Sequence, residues 1–79
     1  MRETQQPNLE TTMTAINERF DSLREAKSAA INICAEARET IYVLRFAREI
    51  PEFFRVVNEA GRDEYRGKHV STIAWTVTA

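Results

Sequence analysis

Apolar and small side chains recur along the first half of the chain at alternating steps of four and three residues. The series is Leu9, Met13, Ile16, Phe20, Leu23, Lys27, Ala30, Cys34, Ala37, Ile41 and Leu44, and the alternation runs on to Arg48. Such steps keep one stripe of a helix facing a partner, the heptad signature of a coiled coil, and no Gly or Pro interrupts them. The pattern predicts an all-α fold whose main element is one heptad-patterned helix over residues 8–50, with Asn8 as N-cap and Glu10 in the first turn, where the helix dipole favours an acid. Asp21 and Ser22 could cap a new helix. The step from Phe20 to Leu23 carries the phase across them, which favours continuity over a hairpin.

Pro51 lacks a backbone N–H and pushes the preceding residue out of the helical region, so it ends the long helix. It also suits the first position of a second, short helix over residues 51–60, with Phe53, Val56, Val57 and Ala60 as its stripe and Gly61 as its stop. Residues 62–68 read as a charged connector. Residues 69–79 form a tail that is either extended, with Ile73, Trp75 and Val77 on one face, or helical, on the spacing of Val70, Ile73, Ala74 and Val77. Its β-branched content favours the extended form, and a lone strand needs an edge to pair with. Residues 1–7 are a flexible lead-in, and 8–79 a single small helical domain that includes this tail.

Geometry then asks for a second chain. A helix of forty-odd residues is a rod of roughly 60 Å, whereas a compact chain of this length has a radius of gyration of about 12 Å. Its own remaining residues cannot wrap it, so a coiled-coil-like homo-oligomer is expected. The basic flanking residues Arg24, Arg38 and Arg45 find no acidic answer in a parallel pair, which points to an antiparallel dimer.

Composition supports a helper of that kind. With 79 residues, one Cys and one His, the chain can form neither an internal disulfide nor an ordinary zinc site, and oligomerisation is what remains. The net charge of −1 is spread evenly, with seven basic and seven acidic side chains after residue 34. A basic stripe for nucleic acid is missing. No signal core or membrane-length apolar run is present, so a soluble cytoplasmic protein without membrane contact is expected.

Chemistry is sparse. Cys34 on the seam reads as a small hydrophobe rather than a reactive thiol, and His69 has no motif partner that would make it a base. Asp63 and Glu64 read as a solvated turn, while Lys27 and Arg48 either snorkel or set register. The stretch from Tyr42 to Arg55 is richer, because Tyr42, Arg45, Phe46, Arg48, Phe53, Phe54 and Arg55 are of the types enriched at binding hot spots. With Trp75 they are the candidate partner-binding residues, presented at the elbow between two helices. The competing assignment is that these aromatics fill the angle between the helices.

The expected function is that of a small non-enzymatic regulator, adaptor or inhibitor, a homo-oligomer that acts on a larger protein target and needs no cofactor or metal. The alternatives are a nucleic-acid-associated regulator using the basic residues around the 51–60 helix, or a purely structural assembly subunit.

Overall fold

A computed structural model describes residues 14–79. Leu9 and Met13 of the expected seam, the Asn8 cap and the 1–7 lead-in lie outside the described residues. The architecture is α+β, with one antiparallel four-stranded sheet, and it overturns the all-α, coiled-coil expectation.

The first element is the strand β1, Asn17–Phe20, and the Asp21-Ser22 break that follows it is real. Ser22 takes an extended conformation, and its Oγ accepts from the Glu25 backbone N–H at 3.2 Å. This Ser-x-x-Glu spacing is that of a capping box. Helix α1 then spans Leu23–Ala37 and stops where Arg38 turns left-handed (φ 58°) while its N–H donates to Cys34 O. Among the described residues of the expected rod, 14–50, helix is therefore confined to the 15 of α1.

Strand β2, Ile41–Phe46, is followed by a hairpin loop containing a cis Ile50–Pro51 peptide and by β3, Phe53–Val57. The expected 51–60 helix is thus mainly a strand. Phe53, Phe54, Val56 and Val57 favour the pleated conformation, and Tyr42↔Val57 through Phe46↔Phe53 give them ladder partners. A short helix α2, Glu59–Arg62, and a 3-10 turn, Asp63–Tyr65, lead to β4, Thr72–Val77, in the tail. The edge that this tail needs is β2 of its own chain.

Strand order is β1-β3-β2-β4. Since β1 and β2 both run antiparallel to β3, they point the same way with β3 between them, and α1 is the crossover that joins them. The central strands are buried on both faces. Ile41 and Val43 of β2, with Phe54 and Val56 of β3, meet Ala26, Ala30 and Cys34 of α1, while Leu44, Phe46 and Val57 pack on the opposite side with Tyr42, Phe53 and Tyr65. Ile41, Val43, Val56 and Val57 are fully buried, and each such side chain stabilises the fold by about 1.5–3 kcal/mol.

The expected dimer seam dissolves into this core. Leu23, Ala30 and Cys34 do share one face of α1, but they face their own sheet. Ile16 and Phe20 are four residues apart, an even step, so both fall on the α1 side whether the segment is strand or helix. Ile41 and Leu44 are three apart and therefore lie on opposite faces of β2. Ala37 ends α1 and Lys27 lies over the Trp75 ring at 5.3 Å. Arg48 is in the exposed hairpin loop.

One polar side chain locks the layers. Asn58, 1% exposed, accepts at Oδ1 from the backbone N–H groups of Ile16 and Gly61, both at 2.9 Å. Its Nδ2 donates to Thr14 O at 2.8 Å and to Glu39 Oε1 at 3.2 Å. Gly61 sits where the Ile16 carbonyl crosses α2, and a Cβ there would overlap that oxygen. The glycine expected to stop a helix is instead a point of close backbone approach.

Candidate functional site

The residues expected to form one aromatic and arginine elbow are divided between the two faces of the sheet, since successive side chains on a strand alternate. Tyr42, Phe46, Phe53 and Arg55 lie on the side of α2. Phe46 stacks on Phe53 with ring centroids 4.7 Å apart and meets Tyr65 edge-on at 5.3 Å. Arg19 lies over the Phe53 ring at 4.2 Å, and Arg55 donates to Asn17 Oδ1 at 3.1 Å. Phe54 and Trp75 belong to the α1-side core. Arg45, whose strand partners are Phe54 and Thr72, is held by Glu52 through two hydrogen bonds of 2.7 and 3.3 Å. These groups form no single surface, and two of the aromatics, Phe46 and Phe54, are buried.

Two basic residues just after the expected 51–60 helix are also engaged within the chain. Arg62 lies over the Tyr42 ring at 4.6 Å and approaches Glu59 at 3.7 Å, while Arg66 pairs with both Asp63 and Glu59. Tyr42 Oη donates to Glu59 Oε1 at 2.6 Å. That hydrogen bond is the main reason the Glu59 carboxyl is held below its ordinary value, with Arg66 and Arg62 adding to it, and the same bond raises the Tyr42 phenol. A carboxyl whose folded pKa is lowered contributes stability that is present above its unfolded pKa and lost as pH falls through the folded one. For a phenol with a raised pKa, the contribution is present below the unfolded value of 10.0 and lost as pH rises through the folded one. Tyr42→Phe should therefore move the Glu59 midpoint upward toward an ordinary carboxyl, read by carboxyl-carbon NMR titration. An unmoved midpoint would place the cause in the arginines instead.

What the structure does bring together is the outer edge of β4. The strand runs Thr-Ile-Ala-Trp-Thr-Val without a charge or a proline, and among the described residues it has β2 on one side and no strand on the other. Val43 pairs with Trp75 and Leu44 with Ile73, so Ala74 is the extra residue of a β-bulge. Three clefts border this strand or the residues leading into it. One of about 370 Å³ has Leu44, Tyr65 and Ile73 as its apolar lining and Arg62 and Arg66 at its rim. A second of about 440 Å³, against Leu23, Phe54 and Ala74, has Arg45 and Glu52 beside it. A third of about 250 Å³ lies between Arg45, Arg48 and His69. The loop leading into β4 is shaped by two left-handed residues, Gly67 (φ 76°) and His69 (φ 55°).

The sequence pattern places Ile73 and Ala74 in a β-branched tail without marking them as a site, and it does not single out Ser71 or Tyr65. The available signal was the uncharged run itself. Among the described residues no group of three or more His, Cys, Asp or Glu side chains is placed to hold a metal ion, and no helix is long and apolar enough to cross a membrane. No protein-family model, curated protein or solved structure matches the chain.

Proposed function

We propose that the protein is a small non-enzymatic binding module that takes an extended segment of a larger partner protein as an additional strand on β4. The observation that supports this is the six-residue edge, unpaired among the described residues, with a cleft of mixed polar and apolar lining on each of its faces. In strand addition, main-chain hydrogen bonds supply affinity and pockets for alternate side chains supply specificity. The cleft at Tyr65 and Ile73 would take one side chain of the incoming segment, and the cleft at Leu23 and Phe54 a neighbour on the other face. Arg48, beside the cleft at His69 and without an acidic partner among the described residues, favours an acidic residue beyond them. A regulator or adaptor acting stoichiometrically needs nothing further.

The test is selection from a random library of linear peptides displayed on phage, followed by amide NMR mapping on the 79-residue chain. Peptides alternating apolar residues, with an acid toward the Ser71 end, are expected to win and to shift amides of residues 71–77. Ile73→Lys should weaken capture roughly tenfold or more, since it puts a charge in the cleft where an apolar anchor should sit. Winning peptides that bind as helices, or that shift only the outer face of α1 around Ser28 and Ile31, would overturn the reading.

A further inference from the structure

The two edges of the sheet are built differently. β1 presents four residues, of which Glu18 and Arg19 are charged and exposed. Short edge strands and edge charges are the usual means of discouraging pairing with another chain. β4 presents six residues, none charged, with Thr72, Ile73, Ala74 and Thr76 exposed and Ile73 at 46%. Its one protective feature is the bulge at Ala74. An uncharged strand meets no like-charge repulsion from its own copy, so the occupant against which β4 is least defended is a second β4.

Register decides whether such a pair can form. On the α1 face β4 carries Thr72, Trp75 and Val77, the partners of Arg45, Val43 and Ile41, and on the opposite face Ile73 and Thr76, the partners of Leu44 and Tyr42. Two copies related by a two-fold axis perpendicular to the sheet must match face with face. Setting Ala74 opposite Trp75 of the second copy does this throughout. Thr72 then faces Val77 of the second copy on the α1 side, Ile73 faces Thr76 of the second copy on the other, and the extra residue meets the largest ring. Sliding one strand by a single residue sets Val77 against Ile73, which point to opposite faces.

We infer that, without a partner segment, two copies of this chain pair antiparallel through β4 in that register, joining their sheets into one of eight strands edged by the two charged β1 strands. The inference rests on the same β4 edge as the proposed function, and it makes partner capture compete with self-pairing.

Sedimentation equilibrium on the full chain reads the outcome. A species of twice the 9.1 kDa monomer, in concentration-dependent exchange with it at micromolar levels, is expected. In mixed labelled and unlabelled samples, isotope-filtered NOEs should join the Ala74 methyl to the Trp75 indole of the other copy. Thr76→Lys and Ile73→Lys should each raise the dimer dissociation constant about tenfold or more with unchanged circular dichroism, whereas Ser28→Lys on α1 should leave it alone. A chain that stays monomeric at every concentration, or a dimer indifferent to both edge lysines, overturns the inference. Peptide capture by a strictly monomeric chain would do so while leaving the proposed function intact, and a β4-paired dimer that captures no peptide would do the reverse.

Discussion

Asn58→Ala should destabilise the fold by about 3 kcal/mol, a loss comparable with the whole stability that a core of this size supplies. Removing the carboxamide takes the shared acceptor Oδ1 from the buried N–H of Gly61 and the part-buried N–H of Ile16. A buried N–H that loses its acceptor costs about 1–3 kcal/mol, the upper part of that range applying at Gly61 and the lower at the part-buried Ile16. Glu39→Ala is the matching control. It takes away only the longer, 3.2 Å acceptor of Nδ2, which still reaches Thr14 O, and should cost roughly 0.5 kcal/mol or less. Urea titration gives both free energies, and hydrogen exchange at Ile16 and Gly61 shows where the loss falls. If Asn58→Ala unfolds at the wild-type midpoint, the segment before β1 is held by something other than this side chain.

The same residue shows why parts of the fold escape a reading of periodicity. Asn58 follows Val56 and Val57 in a stretch that looks like a helical stripe, and nothing in its neighbours along the chain says that it will reach back to residues 14–16. Its partners are 42 and 44 residues away. Long-range pairing also disguised β2. A central strand is covered on both faces, so it reads as a continuous apolar run rather than an alternation, and Ile41-Tyr-Val-Leu44 then passes for the fully apolar circumference of a helix. That excess was visible in the sequence. It meant burial between two layers, not an elbow.

Other features were open to local reasoning. Ser22 followed by Glu25 states a helix start, and Thr72 to Val77 states a strand, each through side-chain chemistry acting within a few residues. The candidate site was half legible for the same reason. The composition of β4 shows that it wants a neighbour, but only the sheet order shows that one side is already taken by β2 and that no other described strand takes the second. Likewise Arg45, Arg62 and Arg66 look available in the sequence. Glu52 reaches Arg45 only when the hairpin closes, whereas Glu59 and Asp63 stand three residues before Arg62 and Arg66 and meet them within the local turn.

Ala30→Leu separates the two architectures most sharply, because they assign the substitution opposite signs. On a coiled-coil seam Ala30 occupies a core position where a larger residue buries more apolar area, and leucine there would stabilise the assembly. In the α+β fold Ala30 is fully buried within one cluster with Val43, Phe54 and Val56. Small residues at 26 and 30 let α1 lie close on the sheet. Three added carbons at residue 30 must displace the helix or force neighbouring side chains off their rotamers, at a cost of about 1–3 kcal/mol. For a domain of this length that lowers Tm by about 5–20 °C. Ser28→Leu, on the exposed face of α1, controls for helix propensity and should move Tm by about 2 °C or less. Thermal melts of the three proteins decide the matter. A Tm for Ala30→Leu above wild type would return α1 to an intermolecular seam, while a clear fall with Ser28→Leu unmoved assigns the alanine stripe to the underside of a helix resting on its own sheet.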